Sequence, residues 1–301
     1  MSERASGGGP LGDRIPTPAF LCLLGGGCAI AFAPIFVRLA DTGPVASAFW
    51  RTALAVPFLW AWVAKTPLPS APAPFDPRPS RAMWAAGFFF ALDLGVWHWA
   101  IVWTSVANST LLANLASIYV TLMGWLIWKQ RVSRVFLVGM VMALAGMFVL
   151  VGPNFASGGR AFAGDVLAAL TAIFYGSYML AIKVARDAGA STARIMAWST
   201  TISAIALLPF AVFSPQPFWP SSGHGWLVVL GLALVTQILG QGLIAYAFAH
   251  LPASLSSVSL LIQPVLAALF AWALFGETME PAQLAGGAIV LAGIWIARRG
   301  S

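Results

Sequence analysis

The sequence predicts an all-α membrane protein in which ten transmembrane helices form two inverted repeats of five helices each. Apolar residues make up 60% of the 301 positions and charged residues only 8%, whereas a soluble globular domain has about 25% charged residues. Ten charge-poor stretches approach the roughly 20 residues that a membrane-spanning helix needs. The third observation is an internal repeat whose flanking charges change sign.

The predicted spans divide evenly between the two halves of the chain. They lie at 19–37, 44–64, 82–104, 108–128 and 135–152, and then at 163–182, 195–213, 225–248, 252–275 and 282–297. The predicted organisation is a cytoplasmic tail at 1–17, a first repeat at 18–152 and a second repeat at 161–299. The proline-rich connection between Lys65 and Arg81 is expected to be an extended cytoplasmic linker.

The internal repeat appears at an offset of 147 positions, the difference between 272 and 125. That offset pairs Trp125 with Trp272, Gly139 with Gly286, Gly146 with Gly293 and Gln130 with Glu277. The paired glycines recur after seven residues on the fifth and tenth spans, so they share nearly one helical face. Small residues let helices approach closely in lipid, which predicts either a structural clamp or a dimer surface.

The charges beside the repeated helix differ between the copies. The first copy carries Lys129, Arg131 and Arg134, whereas the second carries Glu277 and Glu280. Because Lys and Arg in short loops stay on the cytoplasmic side, the two loops are expected on opposite sides of the membrane. With both termini in the cytoplasm, 13 of the 16 cations lie inside and Arg38, Arg51 and Arg160 lie towards the outside. Inverted repeats are typical of secondary transporters.

Other functional classes lack their usual motifs. The scattered cations form no aromatic and basic face for nucleic acid, and no phosphate-binding Gly-Lys-Ser or Gly-Lys-Thr loop or nucleophile elbow occurs. No clustered ligands suggest a metal. The sequence therefore predicts no enzyme, no cofactor and no metal ion, and no disulfide between Cys22 and Cys28, which lie in the first span. A membrane enzyme stays as a less favoured alternative, because Asp93 and His98 do not suggest an acid and base pair.

Asp93 is the acid placed in the middle of a predicted span, and an ionisable group in hydrocarbon is by default a functional candidate. Asp93 and Trp97 share one helical face. The carboxyl group can bind a substrate ammonium, carry a coupling proton or form a structural contact between helices. His98 lies on another face, and a structural tie to a neighbouring helix is as plausible for it as a proton relay.

Polar residues recur at helical spacing on four spans, and together they predict a cavity near the membrane midplane. The members are Thr110, Asn114, Ser117 and Thr121; Ser256, Ser259 and Gln263; Gln237 and Gln241; and Thr171, Tyr175 and Tyr178. The alternative for each hydroxyl or amide is a hydrogen bond that holds two helices together.

Aromatic and proline residues complete the predicted site. Trp97, Trp99, Tyr175, Tyr178 and Tyr246 are candidates for an aromatic wall, which suits aromatic or cationic ligands. Pro34 and Pro264 interrupt helical hydrogen bonding and are candidate hinges or static kinks. Arg51 is expected to snorkel to the outer interface in preference to binding substrate.

Three segments resemble the EamA domain of the drug/metabolite transporter superfamily. They are residues 104–115, Phe49-Trp50-Arg51-Thr52-Ala53, and Phe275-Gly276-Glu277. In many relatives a proline follows the Asn-Leu pair and a Gly-Glu ends the helix. The first half has Ser117 and Gln130 there, while the second half keeps Pro264 and Glu277.

The resemblance implies a ten-helix carrier of the bacterial inner membrane that works by alternating access. It also implies export of amino acids, aromatic and other neutral ones, through the central cavity, and proton coupling and a monomer or homodimer are compatible with it. The alternatives are an exporter of another small solute or drug, a channel, or a membrane-embedded enzyme. The partners expected are a small-molecule substrate and the lipid bilayer, with no nucleic acid.

Overall fold

The computed structural model describes residues 16–66, 78–104, 106–130, 132–151, 159–276 and 280–301. All regular secondary structure in these ranges is helical. The greater part of the predicted tail, the proline-rich core of the linker at 67–77, and the charged residues Arg131 and Glu277 lie outside the described residues.

Fourteen α-helices and one π-helix follow one another along the described chain. They are α1 Thr17–Ala31, α2 Ala33–Leu39, α3 Pro44–Lys65, α4 Arg81–Trp103, α5 Val106–Ala113, α6 Ala116–Trp128, α7 Arg134–Val151, α8 Gly159–Asp187, α9 Thr192–Val212, α10 Gly223–Gly231, the π-helix Leu232–Gly240, α11 Gln241–Ala247, α12 Ala253–Ser259, α13 Ile262–Phe275 and α14 Pro281–Arg299. They combine into ten helical units, because several units are interrupted. In the described ranges, seven units are long and apolar enough to cross a membrane.

Several helix ends have local chemical causes. The hydroxyls of Ser191 and Ser222 accept hydrogen bonds from the first turns of α9 and α10, at 3.3 Å from Arg194 N and 2.9 Å from Gly225 N. These bonds satisfy backbone N–H groups that have no partner within the helix. Lys129 and Gly276, which are related by the offset of 147, both end their helices in the left-handed conformation, with φ of 54° and 66°. The repeat therefore extends to the backbone of the caps.

The packing of the helices is symmetric under exchange of the two repeats. The third unit, α4, packs on the sixth, α8, and the eighth unit, the π-helix with α11, packs on the first, α1. The second unit α3 packs on the seventh unit α9, and the fifth unit α7 packs on the tenth unit α14. The two repeats are thus interleaved, and their seam runs through the middle of the bundle.

The small residues that recur at the same spacing on α7 and α14 place these two helices in backbone contact. A methyl group added to Gly286 would lie 2.7 Å from Leu150 Cα and 2.8 Å from Gly146 O, and it would also meet Leu150 N. One added to Gly146 would lie 2.6 Å from Val290 N. Of the two predicted roles for these glycines, the structure shows the clamp, formed within one chain.

Two helical units are broken at matching positions. The fourth unit is interrupted at Asn114 and Leu115, between α5 and α6, and the ninth at Leu260 and Leu261, between α12 and α13. Position 114 corresponds to 261 at the offset of 147. Pro264 lies just after the second break, in the first turn of α13, where the missing N–H costs no helical hydrogen bond. Since the first repeat breaks without a proline, the break belongs to the fold of both repeats.

Another break lies in the first unit, where α1 ends at Ala31 and α2 begins at Ala33. Pro34 is in the first turn of α2, again directly after the interruption. Its counterpart at the offset of 147 is Ala181, within the uninterrupted helix α8. The bend at Pro34 is therefore specific to the first repeat. Whether either proline acts as a moving hinge stays a prediction.

The described cations are distributed unequally between the two ends of the bundle. The end that holds the termini carries ten of them: Lys65, Arg78, Arg81, Lys129, Arg134, Lys183, Arg186, Arg194, Arg298 and Arg299. The opposite end carries Arg38 and Arg160. Contacts at the terminal end include Ser133 Oγ, which donates to Gly300 O at 2.5 Å. Arg51 belongs to neither end.

Candidate functional site

A cavity of about 100 Å³ lies at the seam between the two repeats. That space exceeds what one water molecule needs by severalfold. Its lining comprises Ile30, Ala31, Ala33, Pro34, Arg51, Phe90, Asp93, Leu94, Trp97, Ala113 and Asn114 from the first repeat, and Tyr175, Gln241, Gln263, Pro264 and Ala267 from the second. This space and its lining form the central cavity. The breaks in the first, fourth and ninth units all border it.

Asp93 and Trp97 lie one turn apart on α4, and both line the central cavity as the sequence predicts for their shared face. Asp93 is 8% exposed. In the described part of the chain its carboxylate has no hydrogen-bond partner and no cation within 4.0 Å. A carboxylate held away from bulk water without a protein partner has a strong preference for a bound cation, proton or hydrogen-bond donor.

Arg51 also lines the central cavity and is only 4% exposed. The expectation that it snorkels to the outer interface is therefore wrong. Its guanidinium lies 5.7 Å from the ring centroid of Phe90, another lining residue. Arg51 stays inside the bundle because a chain of hydrogen bonds across the seam, the polar relay, gives its guanidinium a partner there.

The relay runs from Arg51 through Gln237 to Thr200. Arg51 Nε donates to Gln237 Oε1 at 3.1 Å, and Gln237 Nε2 donates to Thr200 Oγ1 at 2.9 Å. Gln237 is fully buried in the π-helix and lies behind Arg51, outside the cavity lining. A π-helical turn inserts one extra residue and is frequent at functional sites. Here it shifts Gln237 towards α3 and α9.

The two tyrosines on α8 occupy different places. Tyr175 lines the central cavity, beside the amides of Gln241 and Gln263. Tyr178 is fully buried behind the lining, where its ring stacks on Phe90 at 4.5 Å and its hydroxyl donates to Gln241 Oε1 at 3.2 Å. Tyr178 thus supports two residues of the wall.

The polar stripe of the fourth unit is divided by the helix break. Asn114, at the break, lines the central cavity. Ser117 and Thr121 are buried in α6 and bond to backbone carbonyls, Ser117 to Asn114 O at 3.1 Å and Thr121 to Ser117 O at 2.8 Å. Their hydroxyls therefore follow the structural alternative. The side chain of Thr110 lies outside the described part.

The polar stripe of the ninth unit carries unsatisfied groups. Gln263 lines the central cavity, and its Nε2 is buried without a hydrogen-bond partner among the described residues. The hydroxyls of Ser256 and Ser259 are likewise buried without partners, and both residues are fully buried in α12. Most buried polar atoms in folded proteins have a partner, so three along one stripe make this helix face a candidate for contact with water or a ligand.

Three further predicted residues, His98, Tyr246 and Trp99, lie away from the central cavity. His98 is buried, and its Nδ1 lies 2.6 Å from Leu94 O one turn earlier in its own helix. Tyr246 is 39% exposed and packs on His250 with ring centroids 4.6 Å apart. Trp99, an aromatic-wall candidate, is also on the outside, against Trp103 at 5.6 Å.

Sequence reasoning missed three residues. Arg51 and Phe90 line the cavity, and Asp165 is a second buried acid, 8% exposed, whose Oδ1 accepts a hydrogen bond from Thr104 Oγ1 at 2.5 Å. The signal for Arg51 was its charge within the span 44–64, since the cost of burial applies to cations as well as to acids. Asp165 is near the N-terminal end of its predicted span, 163–182, whereas helix α8 begins at Gly159, so the acid lies more than one turn inside the helix.

A second and wider cavity, of about 750 Å³, opens at the terminal end of the bundle. Its lining includes Gln130, Lys183, His250, Ser254 and the C-terminal Ser301. It shares no lining residue with the central cavity. Among the described residues no cluster of histidine, cysteine or acidic side chains could hold a metal ion.

Comparisons with known proteins agree on the class of molecule. Residues 17–152 and 162–299 each match the profile of the EamA-like transporter family. An uncharacterized transporter of Archaeoglobus fulgidus is 28% identical over 74% of this chain and 78% of its own length. A probable terminal-alkyne amino-acid exporter of Streptantibioticus cattleyicolor is 29% identical over 67% of each chain.

Two further similarities are more distant. A pseudopaline exporter of Pseudomonas aeruginosa is 25% identical over 68% of this chain and 70% of its own length. A protein of known crystal structure superposes with a TM-score of 0.75 over 93% of this chain and 96% of its own, at 19% identity. At that identity the likeness shows the fold alone.

Proposed function

Because this chain belongs to the EamA-like transporter family, we propose that it is a secondary active exporter of small metabolites, with aromatic and other neutral amino acids as its cargo. The cargo passes through the central cavity by alternating access. The protein is a multi-pass membrane protein, and we place it in the bacterial inner membrane with both termini in the cytoplasm. The excess of cations at the terminal end supports that orientation.

One observation carries the proposal: the central cavity is enclosed by both repeats and bordered by matched helix breaks. Broken helices at a repeat interface are where secondary transporters hold their substrate. The lining combines polar groups with the rings of Phe90, Trp97 and Tyr175. That mixture suits a small solute with a charged head and an apolar or aromatic side chain. Each repeat has five helical units, and exchanging the two repeats leaves the pairs of packed units unchanged. This symmetry supports the inverted topology.

We propose that the inner half of the transport path follows α12. Ser254, near its start, lines the wide cavity at the terminal end, and Gln263, beyond its end, lines the central cavity. Ser256 and Ser259 lie between them with unsatisfied hydroxyls. In the present conformation these hydroxyls have no hydrogen-bond partner among the described residues, which is unfavourable. An alternate conformation that opens along α12 would hydrate them.

Transport into and out of proteoliposomes tests the proposal. Purified protein is reconstituted, the vesicles are loaded with each of the twenty labelled amino acids, and efflux is followed over a range of concentrations. The expected result is saturable efflux of neutral amino acids that is accelerated by unlabelled amino acid on the opposite side. Phe90→Ala is expected to slow efflux of phenylalanine more than that of alanine, because it removes part of the aromatic wall.

The competing functions give different results in the same preparation. A channel would give flux that rises linearly with concentration and no exchange, and an enzyme would give a chemically altered product by mass spectrometry. Retention of all twenty amino acids, while a known carrier empties parallel vesicles, would contradict the proposed cargo.

A further inference from the structure

We propose that the central cavity recognises the zwitterionic backbone of an α-amino acid, with Arg51 binding the carboxylate and Asp93 the ammonium group. The inference rests on the proposed function and specifies how its cargo is recognised. Both side chains line one cavity, and they are 4% and 8% exposed. They are the charged residues of the cavity lining, and they have opposite sign.

Arg51 and Asp93 line the same cavity without forming an ion pair with each other. Among the described residues an ion pair within 4.0 Å joins Lys183 to Asp187, and none joins Arg51 to Asp93. The free energy of burying an ion falls only when its charge is paired or hydrogen-bonded. The present conformation therefore holds a buried guanidinium and a buried carboxyl group beside one cavity, and neither is in contact with a group of opposite charge in the described residues.

The orientation of Arg51 matches a carboxylate ligand. Its Nε is occupied by Gln237 Oε1 at 3.1 Å, whereas the two terminal nitrogens have no hydrogen-bond partner in the described residues. These two nitrogens form a planar fork that suits the two oxygens of a carboxylate. Thr200 Oγ1 accepts a hydrogen bond from Gln237 Nε2 at 2.9 Å, so the oxygen end of the amide points to Arg51. Gln237 is a positioning residue for the fork.

Asp93 provides the complementary end. It has no hydrogen-bond partner in the described residues, and the ring of Trp97 lines the cavity one turn further along α4. A carboxylate and an aromatic face are both suited to an ammonium group. A ligand that carries one charge leaves the other buried group unpaired. Zwitterions are therefore favoured over simple amines and over simple acids.

The test uses matched ligands with wild-type protein. Phenylalanine is compared with phenethylamine and 3-phenylpropionate, which keep the side chain and lose one charge each, and leucine is compared with 3-methylbutylamine and 4-methylpentanoate. Competition with efflux of the labelled amino acid gives apparent affinities. The single-charge ligands are expected to bind at least about 30-fold more weakly. A simple amine or acid that competes as well as its parent amino acid overturns the inference.

Two substitutions assign the ends. Arg51→Gln is expected to abolish the preference for phenylalanine over phenethylamine and to keep the preference for phenylalanine over 3-phenylpropionate. Asp93→Asn is expected to abolish the preference for phenylalanine over 3-phenylpropionate and to keep the preference over phenethylamine. Arg51→Lys retains the cation and should retain discrimination against phenethylamine. Arg160→Gln, an exposed residue outside the cavity lining, serves as the control and should change neither ratio.

The outcomes separate the two proposals. If the wild-type protein moves no amino acid, the proposed cargo fails and the inference fails with it. If it moves amino acids but both preferences survive in Arg51→Gln and Asp93→Asn, the inference alone fails. Loss of the opposite preference in each variant would reverse the assignment of the two ends and would likewise overturn it.

Discussion

The contact between α7 and α14 predicts unequal effects for the same substitution at two adjacent glycines. Gly286→Ala places a methyl group 2.7 Å from Leu150 Cα, whereas Gly287→Ala places one 3.4 Å from the nearest atom, Val265 Cγ1. The first contact is with backbone, which cannot rotate away. The second is an ordinary van der Waals distance to a side chain. Gly287 is therefore a matched control on the same helix.

The magnitude follows from these distances. The helices must separate by at least about 0.7 Å at Gly286, the difference between 3.4 and 2.7 Å, because Leu150 N lies closer still. A gap of 0.5–1 Å forfeits roughly a quarter to a half of the contact attraction. Overpacking of this kind costs about 1–3 kcal/mol. Both substitutions gain about 1 kcal/mol of helix propensity, which cancels in the comparison. Gly286→Ala should thus be less stable than Gly287→Ala by about 1–3 kcal/mol.

Thermal unfolding of the two variants in one detergent, followed by tryptophan fluorescence, measures the difference. The Tm of Gly286→Ala is expected to be lower by a few degrees. The difference should not change when the protein is diluted tenfold, since the clamp lies within one chain. Equal Tm values would show that the helices do not approach as closely as 2.7 Å implies. A difference that disappears on dilution would indicate a dimer surface instead.

Three further predictions concern helix α12, the loop that holds Asp41, and Asp93 in the central cavity. Ser256→Ala and Ser259→Ala should each raise the Tm and slow efflux, because each removes a buried hydroxyl without a protein partner, which costs about 1–3 kcal/mol. Ser257→Ala, whose hydroxyl already donates to a backbone carbonyl at 2.9 Å, is the control, and a Tm gain as large as theirs would contradict the reasoning. Asp41→Asn should lower the Tm equally from about pH 5 to about pH 8. Hydrogen bonds from Ser221 and Ser222 hold the pKa of Asp41 below its usual 3.8, and the hydroxyl of Ser221 contributes most. A lowered pKa gives stability that is present above the ordinary value and is lost only as the pH falls through the lowered one, so a Tm difference that vanishes near neutral pH would refute this role. Asp93→Asn should slow efflux of amino acids and flatten its pH dependence without preventing insertion, as measured in proteoliposomes at several pH values. An unchanged efflux rate together with an unchanged pH profile would assign Asp93 a structural role.

The helices were largely predictable because lipid imposes one simple requirement on every span. A stretch of apolar residues of sufficient length must be helical to satisfy its own backbone. The predicted spans accordingly agree with the ten helical units to within a few residues at most ends, although α8 runs from 159 to 187 against a predicted 163–182. Helical periodicity likewise placed Asp93 and Trp97 together on one face of α4.

The composition of the cavity was only partly predictable. Asp93, Trp97, Asn114, Tyr175, Gln241 and Gln263 line it with Pro34 and Pro264, whereas His98, Ser117, Tyr178, Gln237 and Tyr246 do not. Helical spacing shows which residues share a face, but it does not show which neighbour covers that face. Tyr178 is one turn from Tyr175, yet it is covered by Phe90.

The sequence by itself determined that the chain lies in lipid, that it is internally duplicated and which family it belongs to. These properties depend on composition, on span length and on patterns that repeat along the chain. Only the tertiary structure decided where the charges meet. Arg51 comes to the cavity because a π-helix from the other repeat presents Gln237 to it. A guanidinium in lipid goes wherever its hydrogen bonds can be satisfied, and that location depends on residues 186 positions away.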